Sequence, residues 1–411
     1  MIKRLVDSQL SNALKIRNYP DDFSKYISTP NKILRVFFPV KLNDSEFNFE
    51  GYRVQHNNLL GPYKGGLRFS PNVTMDESTT LATWMTLKNS LARLPLGGGK
   101  GGLKIDVNKY SEEELKEITK RFIQEINPII GKYVDIPAPD LGTNSKIIDW
   151  MSNEYINLQY HKSPSDLATF TGKSINNGGS EGRLEATGQG IVNSILKYYN
   201  LKNDTIKNKD VIIQGFGNVG YYSTQILSNL GANIIAIGDV DGYIHNPNGL
   251  DISLLDNIKN NNKSILDYKD CCKLNKEDFF SIKNDITIPA ALELQIDKNI
   301  AQNMRTNLIV EAANGPIDFE ADNILYDNNI MVIPDILANS GGVITSYYEW
   351  LQNIKSKKWS KDKINHKLKS KMDKNFERVY DKFLKNDISF RNTCYLDSLD
   401  NIYSSYQRNI K

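Results

Sequence analysis

VIIQGFGNVG, residues 211–220, is the stretch on which the fold turns. A β-branched run, Val211–Ile213, leads into Gly215-x-Gly217-x-x-Gly220, and the polar and apolar residues beyond it carry a helix that stops at Gly231. A second apolar run, IIAI at 234–237, follows and is closed by Asp239, nineteen residues after Gly220, close to the ~20 expected of a strand–glycine turn–helix–strand–acid unit. In such a unit the first glycine makes the tight turn, the second admits a pyrophosphate to the backbone, and the third lets helix and strand pack closely. The helix's unpaired N–H groups and its dipole then hold the phosphate charge. Gly215, Gly217, Asn218, Val219, Gly220 and Asp239 are therefore read as a nicotinamide or flavin dinucleotide site. Asp239 should bond the adenine ribose, and a second carboxylate, Asp241, would repel a 2′-phosphate. This favours NAD over NADP; alternatively, Asp241-Gly242 merely makes a turn.

Downstream, Ile286–Ala291, Leu308–Val310 and Ile330–Ile333 are continuous apolar runs of the kind buried on both faces of a parallel sheet. With helical stretches between them they predict βαβ units and an open α/β sheet. Upstream of about Gly178 the texture differs. Residues 33–40 and 47–54 read as strands, about Asp76 to Leu94 as a helix, and Ser111 with Glu114 as a capping-box helix start. GPYKGGLRF (61–69) and GGGKGG (97–102) read as glycine-rich loops, and PAPDLG (137–142) as a turn. From about Val343 the chain is helical again. The expected organisation is an N-terminal α/β substrate-binding and oligomerisation domain over 1–182, a Rossmann-type dinucleotide-binding domain over 183–342, and a C-terminal helical segment over 343–411 that crosses back.

Composition narrows the function. The 411 residues carry a formal net charge of +3, with 40% hydrophobic and 24% charged residues, which suits a globular chain and leaves no nucleic-acid footprint. The lysine-rich run from Lys355 to Lys374 lacks interleaved aromatics and reads as a solvated helix face. Three cysteines, Cys271, Cys272 and Cys394, form no disulfide framework, and none of the four histidines lies near a cysteine at zinc spacing, so no metal site is expected. No segment has signal-peptide or membrane-span character, and cytoplasmic residence follows as the default. Gly178-Gly-Ser180-Glu-Gly182 lacks the buried strand that a nucleophile elbow needs, and Gly172-Lys173-Ser174 lacks the first glycine of a P-loop.

Three lysines remain. Lys64 and Lys100 stand in glycine-rich stretches where a ligand can approach the backbone, and Lys88 lies on a largely apolar helix where a charge needs a partner. They read either as a cationic pocket for a substrate with more than one carboxylate, or as solvated lysines.

At this point the chain resembles the glutamate dehydrogenase group of the Glu/Leu/Phe/Val dehydrogenase family. The resemblance runs through VQHNNLLGPYKGGLRF (54–69), LPLGGGKGG (94–102), DIPAPDLGT (135–143), GRLEATGQG (182–190), QGFGNVG (214–220), EAANGP (311–316) and PDILANSGGVITSYYEW (334–350). It implies a substrate domain and a Rossmann-type domain with a cleft that opens and closes. It also implies the reversible conversion of L-glutamate and water to 2-oxoglutarate and ammonium with hydride transfer to NAD or NADP. By the same resemblance Lys100 is the catalytic lysine and Asp140 the acid/base; Lys88 pairs the α-carboxylate; Lys64 and Ser346 grip the side-chain carboxylate. Thr187 and Asn218 are nicotinamide-side contacts, with Asn314 and Asn339 nearby. A homo-oligomer, a homohexamer, is implied as well. Two rivals stay open on the sequence: a branched-chain or aromatic amino-acid dehydrogenase, and a non-catalytic nucleotide-binding regulator on the same fold.

Overall fold

The structure, a computed structural model, describes residues 2–410. Its contacts divide the chain into two units. One comprises Leu10–Arg183, Val343–His366 and the chain from Leu396 onward; the other comprises the N-terminal residues to Gln9, Leu184–Gly342 and Lys367–Tyr395. The segment after 343, expected as one helical piece, is thus shared between the units.

The first unit is built on a five-stranded sheet: β1 (Lys32–Leu42), β2 (Ser45–Asn57), β3 (Tyr63–Ser70), β4 (Gly98–Lys104) and β5 (Asp135–Pro139), in the order β1-β2-β4-β3-β5. β1 and β2 form an antiparallel hairpin with Phe38 opposite Phe49, and β3 runs parallel to both β4 and β5. Alternation along β1 puts Val36, Phe38, Val40 and Leu42 inside. There they meet Phe122, Ile123 and Ile126 of the helix Glu112–Ile126, whose start is fixed by the Ser111–Glu114 capping box.

Both glycine-rich stretches differ from expectation: GPYKGGLRF lies mainly in β3, and GGGKGG lies mainly in β4. Glycine is usually depleted in strands, but here the absence of Cβ atoms is what lets the backbones approach. A Cβ on Gly65 would collide with the Gly99 carbonyl of the neighbouring strand, and one on Gly98 would collide with Thr86 on the helix Met75–Leu91. The turn placed at 137–142 likewise begins later, because Pro137 to Pro139 close β5.

The second unit holds seven strands: β6 (Asp210–Gln214), β7 (Asn233–Asp239), β8 (Gly242–His245), β9 (Cys272–Leu274), β10 (Lys283–Pro289), β11 (Arg305–Val310) and β12 (Met331–Ile333). Their order is β12-β11-β10-β6-β7-β8-β9. From β12 to β7 all pairs are parallel, and β8 and β9 add an antiparallel edge. Strand order reverses between β6 and β10, the switch point beside which doubly wound sheets bind their ligands. Val211, Ile212, Ile213, Ile286, Leu308 and Ile309 are fully buried, as strands covered on both faces require.

The lysine run lies mostly on the helix Lys361–Phe383, which buries Ile364, Leu368, Met372, Phe376 and Val379 at helical spacing and leaves its lysines largely outside. Among the described residues no helix is long and apolar enough to cross a membrane, and no His, Cys, Asp and Glu cluster could hold a metal.

Candidate active site

In the first unit, β4, β3 and β5 lie side by side and deliver three charged groups to one region. Lys64 is on β3, Lys100 on the adjacent β4, and Asp140 immediately follows β5. Lys100 forms an ion pair with Asp140, and both side chains are largely buried, at 9% and 14% exposure. Asp140 also accepts from Arg68 Nε at 3.2 Å and from its neighbour Leu141 N–H at 2.7 Å. Its own N–H donates to Thr143 Oγ1 at 2.7 Å, which sets the turn. Burial alone would raise the Asp140 carboxyl, but the Lys100 ammonium and the Arg68 guanidinium outweigh it and hold it down at about 2. A Cβ on Gly66 would strike this carboxylate, so β3 must carry glycine at that position for Asp140 to reach its partners.

Lys64 has only neutral partners among the described residues: it donates to Thr171 Oγ1 at 2.7 Å and to the Ile136 carbonyl at 3.3 Å. It is 1% exposed. Burial pushes its ammonium well below the ordinary lysine range; Arg183 and Arg53 push the same way, while Glu349 and Asp135 oppose. A buried cation with no anion in contact is costly unless a ligand supplies one. Ser346 is also buried, on the helix Gly341–Ile354, and accepts a hydrogen bond from Arg183 Nε at 3.0 Å. Lys88 is buried on the helix Met75–Leu91. Sequence reasoning missed Arg183. It stands in GRLEATGQG, four residues before Thr187, but its link to Ser346 spans 163 residues and left no local signal.

The residues expected at the dinucleotide site all lie in the second unit. Gly215 has φ +100°, a left-handed turn that glycine adopts freely, and Gly217 starts the helix Asn218–Asn229. A Cβ on Gly217 would meet nothing within 4 Å, so the space over the loop is open. Asp239, at the end of β7, accepts from the Phe216 N–H at 3.4 Å, which ties the acid to the glycine loop. Asn218 donates to the Leu184 carbonyl at 2.8 Å, and Thr187 lies in the first turn of the helix Ala186–Leu201. Asn339 donates to Asn314 Oδ1 at 3.1 Å and to the Ala312 carbonyl at 3.2 Å. Its buried Oδ1 has no partner among the described residues, which leaves an acceptor unsatisfied there.

Residues 30–157 match the Glu/Leu/Phe/Val dehydrogenase dimerisation domain, and residues 178–409 match Glutamate/Leucine/Phenylalanine/Valine dehydrogenase. The chain is 38% identical over 405 residues to a glutamate dehydrogenase of Thermotoga maritima, covering 98% of this chain and 97% of that one. It is 38% identical over 392 residues to the catabolic NAD-specific glutamate dehydrogenase of Bacillus subtilis, covering 95% and 91%. Among solved structures, the hetero-hexameric glutamate dehydrogenase of Thermus thermophilus in its leucine-bound form is 28% identical, with a TM-score of 0.91 over 98% of this chain and 95% of that one. Motifs, fold and matched length agree, and the chain belongs to the Glu/Leu/Phe/Val dehydrogenase family.

Proposed function

We propose that this protein catalyses the reversible oxidative deamination of L-glutamate to 2-oxoglutarate and ammonium, with NAD as the hydride acceptor. The observation that carries the choice of substrate is Lys64: a buried ammonium, repelled by Arg183, with no anion in hydrogen-bond contact among the described residues. An apolar side chain placed there would leave the charge unbalanced; a side-chain carboxylate balances it and accepts charge-assisted hydrogen bonds. That argument separates a dicarboxylic amino acid from leucine, valine or phenylalanine.

In this reading Lys88 holds the α-carboxylate, and Lys64 with Ser346 holds the distal one. Together they place Cα and its nitrogen at Lys100 and Asp140. Lys100 donates to the oxygen that forms on Cα and stabilises its charge as water adds and ammonium leaves. Asp140 takes and returns protons at the substrate nitrogen. The two residues are in contact in the free protein, so a proton passed to one can be handed to the other. When bound, NAD would supply the acceptor for the hydride leaving Cα. Thr187, Asn218, Asn314 and Asn339 would orient its carboxamide; Gly215, Gly217, Val219 and Gly220 would cradle the pyrophosphate; and Asp239 would bond the ribose. The Asp239 carboxylate beside the loop, followed by Asp241, supports NAD over NADP.

The three cysteines are all free, which suits a reducing cytoplasm. A homohexamer is the assembly proposed. The test of the function is direct: purified protein is mixed with NAD or NADP and with L-glutamate, L-leucine or L-norvaline, and formation of the reduced nicotinamide is followed. Reduction of NAD with glutamate, greatly exceeding that with the two monocarboxylic amino acids, is expected. Equal or greater rates with leucine would overturn the reading.

A further inference from the structure

Behind the proposed side-chain pocket lies a buried ion pair that the mechanism does not use. Glu349 is on the helix Gly341–Ile354, three residues after Ser346, and Lys173 is on the loop after Thr171. Both side chains are 0% exposed. Glu349 Oε1 accepts from Lys173 Nζ at 2.9 Å and from the Lys173 N–H at 3.3 Å; Oε2 accepts from the Gly172 N–H at 2.9 Å. Lys173 Nζ also donates to the Phe170 carbonyl at 2.5 Å. Residues 170–173 are therefore clamped on either side of Thr171, whose N–H donates to the Pro137 carbonyl at 3.1 Å. The Thr171 hydroxyl is what Lys64 bonds.

We propose that Glu349 is a specificity-determining positioning residue: through Lys173 it fixes the Thr171 hydroxyl against Lys64, and it supplies the anion that balances Lys64 until a substrate's side-chain carboxylate arrives. This rests on Lys64 being the group that meets that carboxylate. The charged groups that act on Lys64 are Arg183, Glu349, Arg53 and Asp135. Asp135 is already engaged by the Arg53 guanidinium and by Gln55. Arg183 and Arg53 add repulsion. Glu349, itself paired with Lys173, is the stronger of the two opposing charges. A purely structural pair would have no bearing on which amino acid is used.

The experiment measures kcat and KM for L-glutamate and for L-norvaline, which has the same carbon chain without the distal carboxylate, across pH. The proteins are wild type, Lys64→Leu, Thr171→Val and the double variant Lys173→Met with Glu349→Gln. The double variant removes both charges together, so no unpaired ion is buried, and a well-packed neutral replacement of this kind is commonly tolerated. The ratio of kcat/KM for glutamate to that for norvaline is expected to fall about tenfold or more, mostly through KM. Thr171→Val, which replaces the hydroxyl with a methyl group of similar size, should lower the same ratio. If the double variant keeps the wild-type ratio, or loses both substrates equally, the pair is scaffolding and the inference falls. If Lys64→Leu itself leaves the ratio unchanged, the reading of the pocket fails instead.

Discussion

Asp140 sits between two cations, and each does something different to it. Lys100 shares the proposed proton traffic; Arg68, which is also paired with Glu77, adds a second positive charge and no transferable proton. Lys100→Met should lower kcat for glutamate by about 10²- to 10⁴-fold, the usual worth of a positioned acid–base group, and leave the KM for NAD nearly unchanged. Asp140→Asn should do the same. It should also alter acid stability. The carboxyl is held at about 2 against its ordinary 3.8, so its ion pairs stabilise the fold above about pH 4 and are lost as pH falls towards 2. Chemical denaturation at pH 7 and at pH 2 should show wild type losing on the order of 2 kcal/mol more over that interval than Asp140→Asn. A parallel loss in both proteins would mean that the carboxylate is not held as its contacts require. At the distal end of the pocket, Lys64→Leu with Ser346→Val should cut kcat/KM for glutamate by ~100-fold or more, a few kcal/mol of lost charge-assisted bonding, while norvaline use holds or improves. Equal losses on both substrates would count against those side chains as the carboxylate grip.

At the scale of elements, glycines divide into those that the fold needs and one that the ligand needs. Gly65 and Gly98 allow β3, β4 and the helix Met75–Leu91 to touch, and any Cβ there meets backbone or side chain. Gly217 meets nothing. Its φ of −67° is also open to any residue, so Gly217→Ala should fold with a wild-type melting temperature yet raise the KM for NAD at least about tenfold, because the methyl occupies the space where the pyrophosphate would approach. Gly65→Ala should lose several kcal/mol of stability by overpacking, visible as a lowered melting temperature before any kinetic effect. A normal melting temperature for Gly65→Ala, or an unchanged KM for Gly217→Ala, would reverse this division. The same contrast explains what the sequence could show. The βαβ unit at 211–239 was legible because β-branched runs, three glycines and an acid report one local geometry. β3 and β4 were read as loops because glycine carries no side-chain pattern and the strands it permits are set by neighbours distant in the chain. β8 and β9, four and three residues long, carry too little alternation to read. Lys64, Lys100 and Asp140 were legible as residue types in motifs, and the resemblance implied that they converge. Periodicity and spacing alone could not place them together, because that depends on the order β4-β3-β5, and Arg183 found its partner only through the helix after 341.

For the molecule as a whole, β1 poses the remaining physical question. It is an edge strand of eleven residues, paired with β2 on one side only, and its outward face shows Ile33 at 44% and Phe37 at 62% exposure. A long, apolar, unpaired edge invites association, and soluble chains that keep one usually cover it. Arg35 stacks on Phe37, its Cζ 4.5 Å from the ring centroid, but one guanidinium cannot cover the row. The stretch lies in the region that matches the dimerisation domain of the family, residues 30–157. A second copy of the chain is therefore the natural cover, and closed symmetric assembly would bury the same face on both copies. Phe37→Glu places a charge in the middle of that face while leaving the inward residues Val36 and Phe38 untouched. Light scattering coupled to size-exclusion chromatography should find wild type as an oligomer, a hexamer on the proposed assembly, and the variant shifted to smaller species with its secondary structure intact. An unchanged mass for the variant would show that the edge is not where copies meet, and the apolar face of β1 would then need a different occupant.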